Sequence, residues 1–143
     1  MSDQQYDQSF IRILQFAEAD ARALHHHQCA TTHILLGLLS DPSTLVYDVL
    51  SDAGLSYERV RSALKPYTES PRIEGEIPFS KHTRKLIEIA EIGSSVLQQP
   101  LDDNYLLFTL LMIGGTTASQ LLADFNVDIL DTLRALQDGL EEE

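Results

Sequence analysis

The chain contains two copies of one pattern, and such self-similarity constrains the fold before any motif is weighed. LQFAEADARAL (14–24) lies over IEIAEIGSSVL (87–97) at an offset of 73. HILLGLLSDPSTLVYDVLSDAGLSYERVRSAL (33–64) lies over YLLFTLLMIGGTTASQLLADFNVDILDTLRAL (105–136) at an offset of 72. The second copy has therefore lost one residue in its first loop, and both copies must fold to the same unit.

Each copy predicts four helices. Ile13, Phe16, Ala17, Ala21 and Leu24 recur at the three- and four-residue steps of an amphipathic helix, and Leu86, Ile89, Ala90 and Leu97 echo them. HILLGLL and YLLFTLL are apolar nearly all round, which predicts a short helix buried in the middle of each unit. Thr31 and Asp103 stand two residues ahead of these cores, and either can cap a helix start through a side-chain oxygen. STLVYDVLSDAG and TTASQLLADFN read as third helices stopped by Gly54 and Asn126, residues that readily take the left-handed conformation. Ser56 and Asp128 then cap fourth helices. Gly37, whose place in the second copy is taken by Thr109, is expected to let a neighbouring helix pass close. KPYTESPRIEGEIPFS, with three prolines and a glycine, reads as an irregular connection. The expected architecture is all-α: eight helices in two pseudo-twofold-related four-helix repeats within one domain, repeat one at about 6–67, a linker at about 68–78 and repeat two at about 79–140.

Charge and cysteine usage narrow the function classes. With 22 acidic and 10 basic side chains the formal net charge is −12, a field that opposes nucleic acid and anionic lipid, so neither is expected as a partner. The single cysteine forms no internal disulfide, and at 143 residues no metal staple is needed to bury a core. No apolar run approaches the roughly 18 residues of a membrane span. The first thirty residues lack a basic segment followed by an apolar one, so the expected location is cytoplasmic, or the plastid stroma where a transit peptide has been removed.

A long helix, the T-T-H-I-L-L-G-L-L core, a helix ending in A-G-L, a further helix and a weaker copy about 72 residues on: this pattern resembles the Clp N-terminal repeat domain, found in front of ATPase rings in ClpA, ClpB and ClpC and in free-standing ClpT-like accessory proteins. The resemblance covers about Tyr6 to Leu136. It implies an eight-helix bundle that binds Clp ATPase or protease core subunits, adaptors or substrates, with no catalysis and no cofactor. The residues agree on one point: no lysine follows the glycine pattern of a phosphate-binding loop. The leading expectation is a non-enzymatic accessory or adaptor-like module. The alternative is a substrate- or degron-recognition domain of a ClpC/ClpA/ClpB-type ATPase, and a metal-dependent hydrolase is a third class.

In ClpC-like domains the helix corner reads G-T-E-H-I-L-L, and the resemblance implies that its glutamate holds the guanidinium of phosphoarginine. Here Thr32 stands at the first glutamate position and Asn104 at the second, or Asp103 if the register slips by one. Neither Thr32 nor Asn104 can make a charge-assisted fork with a guanidinium, so phosphoarginine is not an expected ligand. The candidate partner- or degron-binding corner residues are thus Thr31, Thr32, His33, Asp103 and Asn104.

The stretch ALHHHQCATTH, with four histidines and Cys29, invites a metal reading. Zinc needs three or four converging ligands. Consecutive His25, His26 and His27 diverge in a helical turn, and the second copy's LQQPLDDNY offers neither histidine nor cysteine. No metal is expected; His33 should bond nearby backbone, and Cys29 should be a small buried hydrophobe. Glu18, Asp20, Glu88 and Glu91 fall on polar helix faces, where acids are simply solvated rather than paired for acid–base work. Tyr47, Tyr57 and Tyr67 are expected to pack between helices rather than form a docking patch.

Overall fold

The computed structural model describes residues 6–64 and 75–142. Among these residues there are eight helices and no strand: α1 (Gln8–Ala23), α2 (Thr31–Leu38), α3 (Leu45–Asp52), α4 (Tyr57–Ala63), α5 (Lys81–Val96), α6 (Asp103–Met112), α7 (Thr117–Asp124) and α8 (Ile129–Glu141). The expected linker lies outside the described residues as far as position 74, as does Tyr67.

Local signals set most of the helix ends. Ser56 Oγ accepts the amide of Arg59, and Asp128 Oδ1 that of Asp131, as their cap positions predict. Gly54 and Asn126 take φ of 99° and 58° just past α3 and α7. Non-glycine residues also adopt the left-handed region after α1 and α5, at His25 (φ 60°) and Gln98 (φ 55°), again 73 positions apart.

All eight residues of α2 are buried. The helix packs against α1, α4, α5, α6 and α7, so its nearly uniform apolarity matches surroundings that leave it no solvent face. Its counterpart α6 departs from the expectation of full burial: Leu106, Leu107, Leu110 and Leu111 enter the core, but Phe108 and Met112, one turn apart on a single stripe, are 41% and 61% exposed.

Two backbone crossings tie the halves together. Just ahead of α2, Cys29 donates its amide to Pro78 O (2.8 Å) and accepts that of Ser80 (3.0 Å) just ahead of α5. Just ahead of α6, Leu101 O accepts the amide of Asp7 (3.1 Å), the cap of α1. Each is a single parallel bridge, Cys29 with Phe79 and Tyr6 with Leu101. Cys29 is fully buried there, which pushes its thiol up to about 12.

One acid contradicts its sequence reading. Asp20 is buried on α1 rather than solvated, because Tyr57 OH on α4 reaches its two carboxylate oxygens at 2.7 and 2.9 Å and the Arg61 guanidinium stands 3.9 Å away. Burial together with this bond pushes the Tyr57 phenol up to about 12.

Gly37 is where α1 and α2 touch. A Cβ built there would lie 2.8 Å from Ile13 Cγ2 and 2.9 Å from Ile13 O, and a backbone oxygen cannot rotate away. In an open helix Gly→Ala stabilises by up to about 1 kcal/mol. Gly37→Ala should instead destabilise by about 1–3 kcal/mol, measured as a fall in the chemical-denaturation midpoint; an unchanged or higher midpoint would show that the helices do not meet there.

Two corner clefts at the starts of α2 and α6

The corner ahead of α2 is capped in an unusual way. Its N-cap is Ala30, not Thr31, and alanine offers no side-chain acceptor. His33, three residues on, reaches back instead: its Nδ1 accepts the Ala30 amide at 2.8 Å. With Nδ1 accepting, the neutral ring carries its proton on Nε2 and donates it to His26 Nδ1 at 2.9 Å, the two rings meeting edge to face at 5.0 Å. Burial, reinforced by His26, lowers His33 to about 4.

The corner ahead of α6 uses the opposite half of the same device. Its N-cap is Asp102, not Asp103, and Asp102 Oδ1 accepts the amide of Tyr105 at 2.8 Å. Burial raises Asp102, and the neighbouring Asp103 and Asp7 add to the rise against the lowering effect of the Tyr105 bond. Both caps therefore sit one residue earlier than the sequence predicts. The shift is equal in the two copies, so Ala30 pairs with Asp102, Thr32 with Asn104 and His33 with Tyr105.

A cleft opens at each corner. The first, about 780 Å³, lies between the start of α2, the end of α4 and α7, and is lined by His26, Thr32, His33, Leu64, Thr117 and Asp124 among others. The second, about 450 Å³, lies between α6 and α8, and includes Asp102, Asn104, Tyr105, Phe108, Leu136 and Leu140. Ala30, Thr32, His33 and Leu64 of the first correspond, 72 positions on, to Asp102, Asn104, Tyr105 and Leu136 of the second. Among the described residues, no lysine or arginine lines either cleft. Asn104 Oδ1 is buried with no hydrogen-bond partner.

Of the five expected corner residues, Thr32 and His33 line the first cleft and Asn104 the second. Thr31 and Asp103 line neither. The Thr31 hydroxyl turns inward, accepting the Ala118 amide at 3.0 Å and bonding Thr117 Oγ1 at 3.0 Å, so it secures the start of α7. Asp103 is buried, and its amide is held by Ser9 Oγ of α1 at 3.0 Å. Sequence reasoning missed Asp102, one residue from the expected cap, and missed the walls from α7 and α8, whose approach is a matter of tertiary packing. Among the described residues no group of three or more His, Cys, Asp or Glu is placed to hold a metal ion.

The model of the Clp repeat (R) N-terminal domain family matches residues 5–98, which takes in the first corner but not the second. Among curated proteins, the chain is 26% identical over 129 residues to an ATP-dependent Clp protease ATP-binding subunit ClpA homolog of Cyanidium caldarium, covering 88% of this chain and 15% of that protein. It is 24% identical over 128 residues to the chloroplastic chaperone protein ClpC of Pisum sativum, covering 87% and 14%. The chain thus spans about a seventh of the length of these relatives. Among solved structures, the N-terminal domain of the chaperone ClpD from Arabidopsis thaliana superposes with a TM-score of 0.74 at 19% identity, covering 99% of this chain and 97% of that one. The ClpV N-domain in complex with a VipB peptide gives 0.61 at 21%, covering 96% and 97%.

Because His33 stays neutral in the fold, the unfolded chain takes up its proton first as pH falls below the ordinary value of 6.5. The contribution of His33 to stability is then whole above pH 6.5 and is lost as pH falls toward 4, by about 2 kcal/mol at pH 5. Denaturation midpoints of the wild type and His33→Gln, compared at pH 7.5 and 5, should show the wild type's lead shrinking at the lower pH. A lead that stays constant would mean the ring is not held neutral.

Proposed function

The chain belongs to the Clp repeat (R) N-terminal domain family, and we propose that it is a non-enzymatic accessory or adaptor-like module of a Clp ATP-dependent unfoldase–protease system. Its corner clefts take Lys- or Arg-bearing segments of Clp ATPase or protease core subunits, adaptors or substrates. The observation that carries this reading is the chemistry the two clefts share: Asp124 in one and Asp102 in the other, with no lysine or arginine among the described residues that line either. In the second, the unpartnered Asn104 Oδ1 adds an acceptor, and a buried acceptor left unmade costs about 1–3 kcal/mol that an incoming donor would offset.

The same chemistry speaks against phosphoarginine. A phosphoryl dianion needs donors of positive charge, and the described residues lining the clefts include no lysine or arginine while the chain carries a net charge of −12. Catalysis has no foothold at the first corner either, since both nitrogens of His33 are engaged, one by the Ala30 amide and the other by His26. The peptide in the ClpV N-domain complex supports a peptide-binding role for this fold. Relatives from chloroplasts and from Chlamydia pneumoniae support a cytoplasmic or stromal location.

A second reading, the substrate- or degron-recognition domain of a longer ClpC/ClpA/ClpB-type ATPase, is favoured by the small share of its relatives that the chain spans. A reading frame that continues past Glu143 into a nucleotide-binding module would select it.

The test of the shared mechanism is affinity purification from the native source, with Clp subunits expected in the eluate. Asp124→Lys with Gln137→Lys, which puts a cation on an exposed wall of each cleft, should deplete them without lowering the melting temperature. Free phosphoarginine, titrated by calorimetry, should bind no tighter than millimolar. Low-micromolar phosphoarginine binding, or an eluate without Clp subunits, would contradict the proposal.

A further inference from the structure

Helix α5 buries one face, Thr83, Leu86, Ala90 and Ser94, and turns another outward. The outward stripe runs Lys81, Lys85, Ile89, Ile92, Val96 at three- and four-residue steps, so these side chains stand in one row about 22 Å long. Ile89, Ile92 and Val96 are 39%, 56% and 74% exposed. Single exposed apolar residues are ordinary, but a row of three along one helix face is a surface built for contact.

The basic end of the row is anomalous for this chain. Lys81, Arg84 and Lys85 are three of its 10 Lys and Arg, gathered within five positions of a protein with net charge −12. All three are exposed, and among the described residues none of their side chains makes an ion pair or hydrogen bond, although Glu88 flanks them on the same helix. They occupy the first turns of α5, where the helix dipole is positive and where the first turn holds no acidic residue. Cations there oppose the dipole rather than complement it, so a carboxylate-bearing partner would relieve a local electrostatic cost.

We infer that the outer face of α5 is a docking strip for an acidic amphipathic helix of another protein, lying antiparallel so that its apolar residues cover Ile89, Ile92 and Val96 and the carboxylates of its last turns meet Lys81 and Lys85. Charge complementarity selects this occupant. The antiparallel direction brings the partner's negative C-terminal end over the positive start of α5, and the apolar row supplies the area that an ion pair alone does not. The strip differs from the corner clefts in place and in charge, so one molecule can engage basic and acidic segments separately.

The probe is a blocked, fluorescently labelled 20-residue peptide with Leu at three- and four-residue spacing and Glu in its last two turns; its control carries Lys in place of Glu. Anisotropy titrations should give at least tenfold tighter binding of the Glu peptide, with affinity falling as salt rises. Lys81→Glu with Lys85→Glu should weaken it at least tenfold, as should Ile92→Gln with Val96→Gln, with melting temperatures unchanged. Asp124→Lys with Gln137→Lys should leave it intact, which separates this strip from the corners. Equal binding of the two peptides, or indifference to both α5 variants, overturns the inference. So does capture by phosphatidylserine vesicles in preference to the peptide, or self-association that the α5 variants abolish.

Discussion

Ser80 gives its amide to the carbonyl of Cys29, and Asp7 gives its amide to the carbonyl of Leu101. Each bond joins the segment leading into the core helix of one half to the segment leading into the first helix of the other. The pairing is reciprocal, Cys29 corresponding to Leu101 and Ser80 to Asp7 under the repeat offsets. With both crossings made, neither half can place its buried helix without the other half's chain beside it. The Thr31 hydroxyl adds a third tie by holding the start of α7 from the start of α2.

The corners inherit their positions from this arrangement. A helix with no solvent face must be entered at a fixed angle, and α2 is fixed further by the contact of Gly37 with the Ile13 backbone. Its first turn therefore projects at a set place, and α6 does the same in the other half. The copies then diverge in chemistry: His33 supplies the missing cap of an alanine corner, whereas Asp102 caps its own helix and lends the second cleft a carboxylate. The α5 strip lies outside both clefts and is only partly echoed in α1, where Gln8 and Ile11 stand in place of Lys81 and Arg84 and Arg12, in place of Lys85, pairs with Asp41.

Most of what was legible in the sequence was local. The eight helices, the left-handed stops at Gly54 and Asn126 and the caps at Ser56 and Asp128 depend on a residue's own conformational preferences or on short spacing, while the repeat and the close approach at Gly37 came from laying one copy over the other. The caps of α2 and α6 were misplaced by one residue because Thr31 and Asp103 are good cap residues by type, while Ala30 is a cap only through His33. The exposure of Phe108 and Met112 was hidden by the uniform apolarity of α6, whose pattern cannot say how many neighbours it will have. Asp20 was misjudged because its partners, Tyr57 and Arg61, lie in another helix. The crossings carry no sequence signal, since they join backbone groups.

If the crossings make one cooperative unit of the two halves, native-state hydrogen exchange will show it most directly. The amides of Cys29, Ser80 and Ala118, bonded to Pro78 O, Cys29 O and Thr31 Oγ1, should open with the same free energy and the same denaturant dependence as that of Leu39 at the end of α2. Exchange of Ser80 and Ala118 at a distinctly lower free energy, with α5–α8 opening while α1–α4 stay closed, would contradict it.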